Sequence, residues 1–132
     1  MAKSLWVIPD IKGKRTPYSI LSEQADALRG STDGLLVGFV DRASHEGKFL
    51  STLKISVPQL GNYTFSVITV EHDINLFPVR VFSQFDGNPF TYADPNNLMN
   101  DEAALEAYLE KVLTSTEMQK AIGSLLAQVR GS

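Results

Sequence analysis

Two histidines, His45 and His72, are the only side chains here suited to act as bases near neutral pH or to lend a ring nitrogen to a metal. His72 lies in Glu71-His72-Asp73, an imidazole between two carboxylates. In a strand, neighbouring side chains point to opposite faces, so both acids would turn away from the ring, and a metal would need further ligands from elsewhere. His45 stands beside Glu46 in a polar stretch that reads as a hairpin turn. Cysteine is absent, which removes thiolate nucleophiles, disulfides and cysteine zinc sites. No G-x-S-x-G elbow occurs for a serine hydrolase. Gly13-Lys14-Arg15-Thr16 falls short of a phosphate loop, because an arginine separates the lysine from the threonine and Ile8 stands where the first glycine belongs. Asp86-Gly87-Asn88 lacks the alternating acids and closing glutamate of a calcium loop and reads as a turn. The expectation is therefore no catalytic residue, no cofactor and no metal.

The composition belongs to an ordinary globular protein: 132 residues, 43% hydrophobic and 20% charged. It predicts one α+β domain over residues 1–132. Leu5 to Ile8 is too short an apolar run before Pro9 to form a signal-peptide core, and nothing approaches the roughly 20 apolar residues of a membrane span. A cytoplasmic location without membrane contact is expected. The net charge of -3 is unevenly placed, with Lys3, Lys12, Lys14 and Arg15 near the start and Asp94, Asp101, Glu102, Glu106, Glu110 and Glu117 in the last third. Only Ile11 to Arg15 could supply a basic stripe for nucleic acid, and it reads as a solvated loop ahead of a helix. The aromatics Tyr63, Phe65, Phe77 and Phe85 alternate with polar residues at strand spacing, which favours core over a stacking platform for bases.

These residues must be carried by a simple series of elements. Thr16 is a good N-cap and Pro17 suits the first helical position, so a helix is predicted from there to about Arg29, with Ile20, Leu21, Ala25 and Leu28 on its apolar side and Gly30 ending it. From Gly34 the period changes to two. Strands are predicted at Leu35 to Val40, at about Lys48 to Val57, at Tyr63 to His72, and from about Phe77 to Phe85, joined by turns at Ser44 to Gly47, at Gly61-Asn62 and near Asp73. Pro78 marks a strand start or an edge. Phe90-Thr91-Tyr92 could add a fifth strand. Asn100 is expected to cap one closing helix, and Thr114 to Glu117, with capping-box spacing, to open another. The result is a four- to five-stranded antiparallel meander with an N-terminal helix and two C-terminal helices packed on one face. The odd-numbered positions of the second and fourth strands form the covered side.

The other face is expected to be half apolar, with Leu36, Val40, Leu50, Ile68, Val70 and Phe82 standing among Thr52, Lys54, Thr64, Ser66, Arg80 and Gln84. Such a face suits self-association, a homodimer in particular, or the floor of a partner groove, unless Leu5 to Ile8 folds across it. Leu36, Val40, Leu50, Ile68, Val70, Arg80 and Phe82 are therefore the candidate interface. The stretch Thr16-Pro17-Tyr18-Ser19-Ile20-Leu21 with Glu23-Gln24-Ala25, and the closing Leu125-Leu126-Ala127-Gln128, resembles a pattern of small uncharacterised bacterial proteins; the resemblance implies no activity and no site residue. The expected function is a non-enzymatic protein-interaction or regulatory domain, such as an immunity, chaperone-like or adaptor subunit. The alternative is a small-molecule-binding domain or enzyme with a pocket between sheet and helices.

Overall fold

The computed structural model describes residues 3–85 and 97–130. Helix α1 (Pro17–Ser31) leads into β1 (Val37–His45), β2 (Lys48–Val57), β3 (Tyr63–His72), β4 (Val79–Phe82) and β5 (Leu98–Met99), followed by α2 (Glu102–Leu113) and α3 (Thr116–Val129). The five strands form one antiparallel sheet in the order β1-β2-β3-β4-β5. This is the meander expected from the short connections, since consecutive antiparallel strands need no crossover. The possible strand at Phe90-Thr91-Tyr92 lies outside the described residues. The fifth strand is the two-residue Leu98–Met99.

Each helix starts where a short polar side chain satisfies a free backbone N–H. Thr16 accepts from the Ser19 N–H at 3.0 Å while Ser19 Oγ accepts from the Thr16 N–H at 2.8 Å, a reciprocal box. Asp101, rather than Asn100, caps α2 by accepting from Ala104 N–H at 2.8 Å. Ser115 caps α3 through Met118 N–H at 3.1 Å, and Thr114 instead closes α2. Gly30 lies inside α1; Thr32 ends that helix, its Oγ1 donating to Leu28 O at 2.9 Å, and Gly34 at φ 79° turns the chain toward the sheet.

All three helices contribute to one core on one side of the sheet. Ile20, Leu21 and Ala25 of α1, Leu53, Ile55 and Val57 of β2, Val79 and Val81 of β4, Leu105, Leu109 and Val112 of α2, and Met118 and Leu125 of α3 are buried in a single cluster. Removing each such large side chain from water contributes about 1.5–3 kcal/mol. Helix α1 lies so close to β1 that a Cβ on Gly38 would stand 2.7 Å from Ala25 Cα. Pro78 immediately precedes β4, which is an inner strand between β3 and β5.

Two local features set which residues face the helices. Glu46 and Gly47 both have positive φ, 50° and 78°, and join β1 to β2 as a two-residue turn that pairs His45 with Lys48. Even positions of β1 therefore lie beside odd positions of β2: Val40 pairs with Leu53 and Gly38 with Ile55. In β3 the register shifts opposite Leu53/Lys54, so that Leu53 pairs with Ile68 but Lys54 with Ser66. The extra residue, Val67, reverses the facing of everything after it. Ile68 and Val70 thus join the covered side with Phe65.

Candidate interaction surfaces

The uncovered face is more polar than the sequence predicts. Leu36, Ile68 and Val70 are 0%, 1% and 0% exposed beneath the helices, and Val40 packs partly buried against the same core. Of the candidate interface residues, Leu50, Arg80 and Phe82 lie on the open face, as do the expected Thr52, Lys54, Thr64 and Ser66, joined by Val37, Phe39 and Leu98. Polar pairs run across it from strand to strand. Lys54 Nζ meets Asp41 Oδ2 at 2.6 Å and Thr52 and Thr69 share a 3.1 Å hydroxyl bond, while Arg80, in register with Glu71, reaches past the strands to donate to the buried Asn97 Oδ1 at 3.2 Å. Cross-strand pairs of this kind each contribute about 0.2–1 kcal/mol and keep the face stable in water.

Among the described residues the longest run of exposed apolar side chains is in the N-terminal arm, which does not fold across the sheet. Leu5, Trp6, Val7 and Ile8 are 82–90% exposed and Ile11 is 70% exposed. The arm's hydrogen bonds are local: Trp6 N–H to Ser4 Oγ, Lys12 N–H to Asp10 Oδ1 and Lys14 N–H to Ile11 O. In an extended segment Leu5 and Val7 point one way, Trp6 and Ile8 the other, so both sides are apolar. That two-sided run was the sequence signal for this surface, as a strand lying on a half-solvated face would alternate.

At its root the arm is anchored by charge. Arg15 donates to Glu23 of α1 at 2.7 Å and to Glu102 of α2 at 2.6 Å, and also meets Glu106. The loop expected to be simply solvated thus ends in an arginine that ties α1 to α2. The hydrogen bonds to Glu23, Glu106 and Glu102, in that order, hold the guanidinium proton more firmly than usual. Lys12 and Lys14 stay exposed.

The Glu71-His72-Asp73 triplet separates as strand geometry requires. Glu71 is in register with Arg80 on the open face, while His72 pairs with Phe49 on the other. Asp73 turns its carboxylate to the Asn75 N–H at 2.9 Å. His45 Nε2 lies 3.7 Å from Glu46 Oε1, both exposed. Among the described residues no three acids or histidines converge as a metal site, and no helix is long and apolar enough to cross a membrane. No protein-family model, no curated protein and no solved structure matches this chain.

Proposed function

We propose that this chain is a non-enzymatic protein-interaction domain whose N-terminal arm inserts into an apolar slot on a protein partner. The observation that carries this reading is the exposure of four consecutive apolar side chains, Leu5 to Ile8, beside a body in which most Leu, Val and Ile side chains lie in or against one core and Ile74 stands out at 83% exposed. Fully burying four such side chains would contribute about 6–12 kcal/mol. That is of the order of the 4–15 kcal/mol or so that association costs in lost freedom. Because both sides of the arm are apolar, the slot must have two walls. Lys3, Lys12 and Lys14 flank the apolar run and Asp10 is the one acid from residue 3 to residue 14, so an acidic rim on the partner would complement it. An adaptor or regulatory subunit fits this description.

The first partner to test is a second copy. Its groove between α1 and α2, about 590 Å³, has Ile20, Leu109 and Leu113 in its lining and Glu23, Glu106 and Glu110 beside them, the first two paired with Arg15 and Glu110 without an ion pair among the described residues. Sedimentation of the wild-type chain and of Trp6→Asp over a range of concentrations checks this. The expected result is association that Trp6→Asp abolishes without changing the fold. A wild-type chain that stays monomeric and leaves its native cells with no bound protein would contradict the proposal.

A further inference from the structure

We infer that the cleft at the β1–β2 hairpin end, beside the start of α1, is a binding site for a small organic carboxylate with a flat apolar body. This is independent of the arm. The cleft encloses about 490 Å³ and its lining includes Tyr18, Arg42, Phe49, Ser51, His72 and Leu76. That volume lies within the roughly 300–1,000 Å³ of typical ligand pockets.

Three observations point to an anion. In a chain of net charge -3, no residue lining the cleft is acidic. Among the described residues Arg42 has no carboxylate partner; its guanidinium lies 4.0 Å from the centre of the Tyr18 ring. The cleft also takes in Thr16, the N-cap of a 15-residue helix without an acid in its first turn, where the helix dipole favours negative charge. The acids next to Arg42 and His72 in the sequence are placed elsewhere: Asp41 pairs with Lys54, Asp73 accepts from the Asn75 N–H, and Glu71 lies on the open face in register with Arg80.

A serine hydroxyl without a partner among the described residues marks the depth of the site. Ser51 is the one polar residue on the covered side of β2, is 3% exposed, and its Oγ makes no hydrogen bond among the described residues. No unpaired side-chain oxygen or nitrogen among those residues is sealed from solvent, so this hydroxyl opens into the cleft it lines. Phe49 before Ser51 and Leu53, Ile55 and Val57 after it make every other side chain of β2 on that side apolar. A ligand oxygen would satisfy the hydroxyl.

The walls define the rest of the ligand. Phe49 and His72 stack with ring centres 5.5 Å apart and planes inclined by 28°, and Leu76 adds an aliphatic contact. His72 Nδ1 lies 2.7 Å from the Asp73 carbonyl oxygen, which can only accept, so Nδ1 is the donor of that bond. Arg42 and Ser51 would hold the carboxylate, and the Phe49–His72 shelf and Tyr18 the body.

Titrating the full chain with benzoate, benzylamine and inorganic phosphate, followed by calorimetry and by the NMR signals of Ser51 and His72, tests the assignment. Benzoate should bind and move both signals, while benzylamine, with the wrong charge, and phosphate, with no apolar body, should bind at least about tenfold more weakly. Arg42→Gln should weaken benzoate by about tenfold or more, as expected for a charge-assisted hydrogen bond, and Ser51→Ala by a few-fold. Both variants should keep the wild-type unfolding profile within about 1 kcal/mol, because Arg42 is exposed and Ser51 has no bond to lose. Absence of saturable benzoate binding, equal binding of benzylamine or phosphate, or an unchanged affinity in Arg42→Gln would overturn the assignment.

Discussion

Ile20 and Ile8 are the same residue type, yet Ile20 is 2% exposed in the core and Ile8 is 82% exposed in the arm. The contrast extends to the segments around them. Residues from Thr16 onward build caps, register and a shared core, whereas the hydrogen bonds of residues 3 to 14, among the described residues, are local ones. Hydrophobic residues drive folding only where the chain offers them a covered surface; the arm has none in its own body, so its apolar area remains for contacts outside it.

If that division holds, substitutions in the two regions must separate cleanly. The largest loss is expected for Leu53→Ala, which removes a 4% exposed side chain from the core and should cost about 2–5 kcal/mol in urea unfolding. Leu50→Ala, one turn of the pleat away on the open face, should cost well under half of that. Gly38→Ala would force a Cβ to within 2.7 Å of the Ala25 backbone, so α1 must move, at about 1–3 kcal/mol. Thr16→Ala, which loses the α1 cap, should cost about 1 kcal/mol.

Arg15→Ala leaves Glu23, Glu102 and Glu106 facing one another. It should lower the thermal midpoint slightly, and added salt should shrink the difference by screening the repulsion. Since the partners raise the Arg15 pKa above its usual value, its contribution is fully present below that usual value and is lost only at higher, strongly alkaline pH. Across neutral pH the arginine itself should therefore introduce no step in stability. Removal of residues 1–11 should change stability least of all. A fall as large as that of Leu53→Ala would show that the arm belongs to the body.

Much of this fold was legible because local signals agreed with one another. Thr16-Pro17 opened α1, the turn residues between residues 44 and 75 separated the strands, and the odd positions Leu53, Ile55, Val57, Val79 and Val81 were buried as their alternation required. What failed was parity. Glu46-Gly47 forms the two-residue turn, but it is not one of the Asn-Gly or Asp-Gly pairs that announce such a turn, so the wider Ser44–Gly47 stretch hid the register of β1. The bulge in β3 was invisible because Val67 and Ile68 are both apolar and both 1% exposed, leaving no alternation to interrupt. Leu36, Val40, Ile68 and Val70 were consequently assigned to the wrong face.

The hairpin-end cleft left a weaker trace. Its chemistry comes from α1, β1, β2 and β3, at positions far apart in the chain, so no local motif could exist. The one usable sign was Ser51, a hydroxyl in the odd-numbered series of β2 whose later members are all apolar. The arm was legible in composition but not in consequence, since four apolar residues before Pro9 could equally have covered the sheet.

Trp6 is the sole tryptophan, so tryptophan emission, excited beyond the absorption of the four tyrosines, reports on the arm alone. Iodide quenching of its emission in the dilute chain and in the associated state is the most direct measurement of the arm's role. Quenching as free as that of hydrated indole when dilute, followed by a blue shift and protection on association, is the expected outcome. An indole already shielded in the isolated chain, or one still freely quenched after association, would contradict it.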